Sequence, residues 1–263
     1  MLTITHHGTP TELPPLLIAH GLFGSGRNWG AIAKRMSDSR AVLAVDMRNH
    51  AGSFWDARHD YPAMADDLAR VIEDAGHKMD VLGHSMGGKA AMLLALTRPD
   101  LVNRAVIADI APVAYPHSQN ALIHAMRDLD MQGLTSRSEA DRRLASGVPE
   151  PQVRAFLLQS LDLKAQPPRW RLNLDALEQQ MEVITGWPEE AEAAPGAAPF
   201  QGATLFLSGA SSDYVKSSDR GKIRALFPNA HMAKIPNAGH WLHAEQPRAF
   251  EATLRAFLTA ESA

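Results

Sequence analysis

Six short, mostly apolar runs rich in branched side chains punctuate this chain: Leu16–Ala19, Ala41–Val45, Met79–Leu82, Ala105–Ala108, Thr204–Leu207 and His231–Ile235. A turn marked by Gly, Asp or Asn follows each of them. Runs of this length predict strands buried on both faces, the pattern of a parallel sheet. Helical spacing fills the intervals at about 28–37, 62–76, 86–97, 216–227 and 246–260. This alternation predicts an α/β fold with a mostly parallel, doubly wound sheet. Such sheets collect their functional groups at the carboxyl ends of the strands.

The stretch from 109 to 203 contains no convincing strand and is too long for a simple connection, so it predicts an inserted helical cap. Leu122, Met126 and Leu129 form one helical stripe, and Val153, Phe156, Leu157 and Leu161 form another. Ser136 to Glu139 has capping-box spacing ahead of Leu144, and Leu174, Leu177, Met181 and Ile184 make a further stripe. Pro188–Gly202, rich in Ala, Glu and Pro, reads as a linker back to the sheet. The expected division is a core of residues 1–115 and 203–263 with a cap and linker at 116–202. A chain of 263 residues, 45% of them hydrophobic, is long enough to build that as one large domain.

Charge and composition remove several classes of function. Lys plus Arg number 26 against 29 Asp plus Glu, so the chain lacks the positive excess that holds a nucleic-acid backbone. The longest apolar run, Ala90–Leu96, falls far short of the roughly 18–20 residues of a membrane span. The first residues carry no basic, apolar leader, so a cytoplasmic protein without membrane partners is expected. With no cysteine, covalent chemistry must come from Ser, Thr, Lys or a carboxylate. His6-His7 has no carboxylate or third histidine nearby in sequence and reads as solvated, so no metal site is expected.

The strongest local signal is Gly83-His84-Ser85-Met86-Gly87, directly between a strand and a helical run. A sharp strand-to-helix turn tolerates only small residues flanking its apex, and it presents the apical Ser hydroxyl outward as a nucleophile. The helix N-terminus beneath it favours developing negative charge. A base is expected later in the chain. His240, in Asn237-Ala238-Gly239-His240-Trp241 after the last strand, is placed for it, with His243 one helical turn on as the backup. An oxyanion needs two donors. The Leu22 amide in His20-Gly21-Leu22-Phe23-Gly24, together with the Met86 amide, would supply them. Asp46 and Arg48, at a strand end, read as a structural ion pair, and Lys89 as a structural or rim residue.

Taken together, Ser85 in its elbow, His20-Gly21 upstream and the late Gly239-His240 resemble the α/β-hydrolase superfamily over essentially the whole chain. The phrases His20-Gly21-Leu22-Phe23-Gly24-Ser25, Val45-Asp46-Met47-Arg48-Asn49-His50, Tyr61-Pro62-Ala63-Met64, Gly83–Lys89 and Asp109-Ile110-Ala111-Pro112-Val113 are more narrowly similar to the small bacterial acyl-coenzyme A esterases and their mitochondrial relatives. The resemblance implies an α/β-hydrolase fold with a helical cap and the hydrolysis of carboxylic esters or acyl thioesters. It also maps the acid of the triad onto Asp109 and a supporting hydroxyl onto Ser212. Asp213 stands close to the place that the wider superfamily uses and is the alternative acid. One departure is Ala51 after His50, where the group usually has glycine.

A cofactor-free serine hydrolase is therefore expected, acting on a small-molecule ester or acyl thioester as a monomer or small homo-oligomer. Phe23, Met126, Leu129, Phe156, Leu157 and Trp241 are candidate substrate contacts, although packing between cap helices would use the cap residues equally well. Residues 116–185 carry eight Lys and Arg against nine acids, so no basic funnel for coenzyme A is evident. A perhydrolase or carbon–carbon bond hydrolase would use the same residues, and a silent binding protein of the same fold is the rival from another class. Ser85 at the elbow excludes the carboxylate-nucleophile chemistry of dehalogenases and epoxide hydrolases.

Overall fold

Seven strands form the central sheet: β1 (Thr3–His7), β2 (Leu16–Ala19), β3 (Val42–Asp46), β4 (Met79–His84), β5 (Val102–Ala108), β8 (Thr204–Gly209) and β9 (Ala230–Ile235). The structure, a computed structural model, describes residues 1–188 and 198–260. The sheet order is β1-β3-β2-β4-β5-β8-β9, parallel throughout except for β1. Each of the six expected apolar runs is a strand. β2 and β4 are buried at every position, which is why their sequences carry no alternation. β1 was not anticipated. It pairs antiparallel at the sheet edge, Thr3 opposite Asp46 and His7 opposite Val42, and its mostly exposed Thr and His residues lack an apolar signature. His6 and His7 therefore belong to a strand.

Helices cover both faces. α1 (Gly30–Met36) and a C-terminal helix (Pro247–Thr259) pack over one side, where Trp29, Ile32, Phe250 and Leu254 are buried. α2 (Tyr61–Ala75) and α3 (Met86–Thr97) cover the other. Asp60 caps α2 by accepting from the Ala63 amide at 2.8 Å, Pro62 fits its first turn, and Gly76 ends it at φ 75°.

Between β5 and β8, neighbours in the sheet, runs the long insertion: α4 (Asn120–Arg127), α5 (Arg137–Leu144), α6 (Pro151–Leu157), α7 (Leu174–Gln179) and α8 (Met181–Thr185). Three details of the insertion differ from the sequence expectation. A two-residue ladder, β6 (Leu161–Asp162) with β7 (Arg169–Trp170), stands where no strand was expected. The stripe from Leu174 to Ile184 is split between two short helices meeting at Gln180. Ser136 accepts from the Glu139 amide at 3.3 Å, but the Glu139 carboxylate turns to Arg143 instead of completing the capping box. Residues 189–197 of the expected linker lie outside the described residues. Among the described residues no helix is long and apolar enough to cross a membrane.

The amino edge of the sheet holds a buried ion pair. Arg40 Nη1 donates to Asp80 Oδ2 at 2.6 Å, both side chains are about 1% exposed, and Asn103 donates to the other carboxylate oxygen at 2.6 Å. Removing one member of such a pair strands the other charge, a loss of roughly 3–5 kcal/mol. Asp80→Ala should lower the urea midpoint by a matching amount while the activity per folded molecule stays unchanged, because the pair lies at the opposite edge from the site described next. A loss below about 1 kcal/mol would show that the guanidinium finds other partners.

Candidate active site

Ser85 stands at the junction of β4 and α3 with φ 52° and ψ −119°, a conformation that a non-glycine residue keeps only when its surroundings enforce it. Those surroundings are backbone. A Cβ on Gly83 would lie 2.2 Å from the Gly87 carbonyl oxygen, and one on Gly87 would lie 2.4 Å from that of Ala19. The close crossing of β2, β4 and α3 therefore demands both glycines. The Ser85 amide donates to Ala108 O at 3.0 Å, which ties the elbow to β5.

Directly after the last residue of β5 comes Asp109, 0% exposed and at φ 51°. Its Oδ1 accepts from the Gly209 amide at 3.0 Å, and its Oδ2 accepts from Ser212 Oγ at 2.5 Å and from His240 Nδ1 at 2.7 Å. The His240 ring stacks on Tyr214 with centroids 4.0 Å apart, and its carbonyl accepts from His84 Nε2 at 2.8 Å. With Nδ1 committed to the carboxylate, Nε2 is the ring nitrogen left for proton traffic. Asp213 is exposed and lies outside this cluster. His243 is also outside it: stacked on Trp29 at 4.0 Å, it is held by burial at about 3, far below the range of a useful base.

Ser85 and His240 both line a cavity of about 290 Å³ between the carboxyl edge of the sheet and the insertion. Leu22, Phe23, Met86, Phe156, Leu157 and Trp241 line it too. The amides of Leu22 and Met86 donate to no other described residue, whereas the Phe23 amide is engaged with His50 Nε2 at 3.1 Å. Met126 and Leu129 do not reach the cavity. Both are buried in packing within the insertion, where the Met126 carbonyl accepts from Trp170 Nε1 at 2.6 Å.

The expected Asp46–Arg48 pair does not form either. Asp46 accepts from the Gly26 and Gly52 amides, while Arg48 bonds Asp67 at 2.6 Å. Sequence reasoning missed Tyr115, Tyr214 and the full burial of Lys89, all three on the cavity wall. The position of Tyr214 two residues after Ser212 was the one available hint. Among the described residues no group of three or more His, Asp or Glu side chains is arranged to hold a metal ion.

The alpha/beta hydrolase fold family profile matches residues 14–247. Across 94% of its length and 81% of the relative's, the chain is 42% identical to the sn-1-specific diacylglycerol lipase ABHD11 of Mus musculus. It is 36% identical to the esterase YbfF of Escherichia coli, covering 93% of this chain and 92% of that one. A solved marine microorganism esterase superposes with a TM-score of 0.89 at 35% identity, over 97% of this chain and 98% of the other.

The site is ringed by neutral imidazoles. Burial lowers His20 to about 4 and His50 and His243 to about 3, against an ordinary value of 6.5. Below about 6.5 the unfolded chain binds protons that these folded imidazoles refuse, so their contribution is complete above that pH and is lost progressively down to about 3–4. The urea midpoint should therefore fall as pH drops from 6.5 to 4.5. His243→Phe, which keeps the stack on Trp29 but cannot titrate, should show a shallower fall. Parallel slopes for variant and parent would mean that His243 titrates alike in both states.

Proposed function

Because the chain belongs to the alpha/beta hydrolase fold family and is a hydrolase of the serine type, we propose that it cleaves carboxylic esters through an acyl-enzyme on Ser85. The observation that carries this proposal is the buried Asp109 carboxylate bonded to His240 Nδ1, at a mostly apolar cavity that Ser85 also lines.

Ser85 Oγ attacks the ester carbonyl while His240 Nε2 takes its proton. Asp109 fixes the imidazole tautomer and stabilises the imidazolium, and Ser212 steadies the carboxylate. The Leu22 and Met86 amides receive the charge that forms on the carbonyl oxygen. His240 then protonates the leaving alcohol, and a water activated by the same imidazole releases the acid. Side chains and water handle every proton and bond in this sequence, so no cofactor is called for.

The insertion acts as the cap of a core formed by 1–115 and 203–263, and supplies Phe156 and Leu157 to the acyl pocket together with Phe23 and Trp241. The apolar lining favours an uncharged acyl ester, in keeping with the lipase and esterase names of the relatives. Acyl thioesters, acyl-coenzyme A among them, share the same carbonyl chemistry and fall within the proposed range. A cytoplasmic monomer or small homo-oligomer completes the proposal.

Ser85→Ala should remove about 10⁴-fold or more of p-nitrophenyl ester turnover with the fold intact. Asp109→Asn should lower kcat by roughly 10³–10⁴-fold, Ser212→Ala by about two- to tenfold, and Asp213→Asn by less than about tenfold. A large loss at Asp213 beside a small one at Asp109 would reverse the roles of the two carboxylates.

Acyl-chain preference is checked separately. Phe156→Ala and Leu157→Ala should change the ratio of long- to short-chain rates more than the rate on acetyl esters, whereas Met126→Ala should act on stability alone. Equal effects of the Phe156 and Leu157 changes at every chain length would take those side chains out of the acyl pocket.

A further inference from the structure

Two buried imidazoles join the loop after β2 to the loop after β3, and they do so in opposite directions. His20, in the first loop, faces Gly21 O with Nδ1 at 2.8 Å and the Met47 amide with Nε2 at 2.9 Å. His50, in the second, faces Arg48 O with Nδ1 at 2.8 Å and the Phe23 amide with Nε2 at 3.1 Å. A carbonyl can only accept and an amide N–H can only donate, so both tautomers are fixed: each ring carries its proton on Nδ1 and accepts at Nε2. The two rings meet edge to face at 5.1 Å, and both are at most 1% exposed.

The strut from His50 ends on a strained residue. Phe23 stands at φ 63°, which a bulky side chain adopts only under constraint. The bond to His50 holds that conformation through the peptide that follows Leu22, and it removes the Phe23 N–H from the cavity as a competing donor. What remains directed by this loop is the Leu22 amide, which no described residue occupies. On its far side the same loop is braced by the insertion, where Ser160 Oγ donates to Phe23 O at 2.9 Å.

Resting on the acyl-transfer mechanism above, we propose that His50 is a positioning residue of the oxyanion site: accepting at Nε2, it holds the Phe23 amide and so aims the Leu22 N–H at the carbonyl oxygen of the tetrahedral intermediate. Burial, with repulsion from His20 added, supports this role by keeping the His50 imidazole far below its ordinary range, so the accepting lone pair is unprotonated near neutral pH. His20 is the matching strut in the opposite direction.

Two conservative variants separate aiming from simple packing. The amide nitrogen of His50→Asn takes the place of Nδ1 and keeps the bond to Arg48 O but stops short of Phe23. His50→Gln extends a carbonyl to the position of Nε2 and keeps the Phe23 bond. The expected result for Asn is a fall in kcat of about 10- to 100-fold, below the roughly 10²–10³-fold lost when an oxyanion donor itself is removed, with KM changed less than about threefold and full activity restored to within about threefold in Gln.

An alkyl trifluoromethyl ketone reads the same geometry. Ser85 Oγ bonds to its carbonyl carbon, the C=O π pair moves to oxygen, and the hydroxyl proton passes to His240. Its affinity should fall in Asn by the same factor as kcat. Equal losses in Asn and Gln, wild-type kcat in Asn, or unaltered ketone affinity would each overturn the proposal.

A measurement on the unmodified protein decides the matter even where a variant does not fold. The ¹⁵N spectrum of His50 should show an unprotonated Nε2 and a protonated Nδ1, and a protonated Nε2 would overturn the assignment. Failure of the wild-type protein to hydrolyse any ester would strike the parent mechanism instead, leaving the tautomer as a separate test of the strut.

Discussion

A carboxylate taken wholly out of water must be surrounded by donors, and Asp109 sets that requirement for the whole carboxyl edge of the sheet. Burying an ion carries an effective penalty of several kcal/mol, which only well-made charge-assisted hydrogen bonds offset. The three donors to Asp109 come from three places: the Gly209 amide ending β8, the Ser212 hydroxyl in the following turn and the His240 imidazole beyond β9. Its own amide reaches Leu207 O at 2.9 Å. One side chain thus fixes the ends of β5 and β8 and the loop after β9 relative to one another. Misplacing any of them leaves a buried charge short of a partner, so the site and the fold around it are specified together.

Strain is gathered at the same edge. Among the described residues the non-glycine positions with positive φ are Phe23, Asn49, Ala51, Ser85, Asp109 and Asn237, and each lies in a segment leaving the carboxyl end of a strand. Positions of this kind cost of order 1–3 kcal/mol each where the side chain is bulky, and persist because the surrounding packing over-determines them. The apolar strands supply that packing, with Leu16, Leu17 and Ile18 fully buried behind the elbow. Ala51 belongs in this group: where glycine is the usual residue, the chain keeps φ 47° with an alanine, and the Ala51 amide donates to Arg171 O of the insertion at 2.7 Å. A hydrogen bond across to the insertion holds what glycine's freedom would otherwise provide.

What could be read from the sequence divides along a physical line. The runs in β2, β4, β5 and β8 were legible because stretches buried on both faces are mostly apolar, and the elbow was legible because the two glycines that close backbone crossings demand, Gly83 and Gly87, flank Ser85 within five residues. β1 was not: an edge strand with one neighbour and solvent beside it needs no apolar run, and Thr3–His7 has none. Periodicity showed that Met126 and Phe156 turn inward. It carries no information on whether the inward side meets another helix or an open cavity, so only Phe156 reached the wall. The Asp46–Arg48 expectation failed for a similar reason, since proximity along the chain says nothing about Asp67, a helix away, which offers Arg48 a buried partner at 2.6 Å.

Lys89 shows how the insertion is fastened to α3 without any recognisable motif. It follows Ser85 by one turn of α3, is 1% exposed, and has no carboxylate partner among the described residues. Its Nζ donates instead to Thr185 O at 3.0 Å and to Gly186 O, and it lies 4.7 Å from the centre of the Tyr115 ring and 5.6 Å from that of Tyr61. The last carbonyls of a helix lack internal donors, so the end of α8 needs what the ammonium offers, and the ammonium needs acceptors in place of water. Tyr61 Oη adds a bond to Ile184 O at 2.5 Å, so three successive carbonyls at that helix end are held from the core. Burial, with Lys222 adding repulsion, draws Lys89 down to about 7. Near neutrality it therefore exists both as the ammonium and as the neutral amine. Either form can donate to the carbonyls, which lets the contact tolerate a cation with no acid partner among the described residues and keeps the end of α8 in register with the helix that presents Ser85.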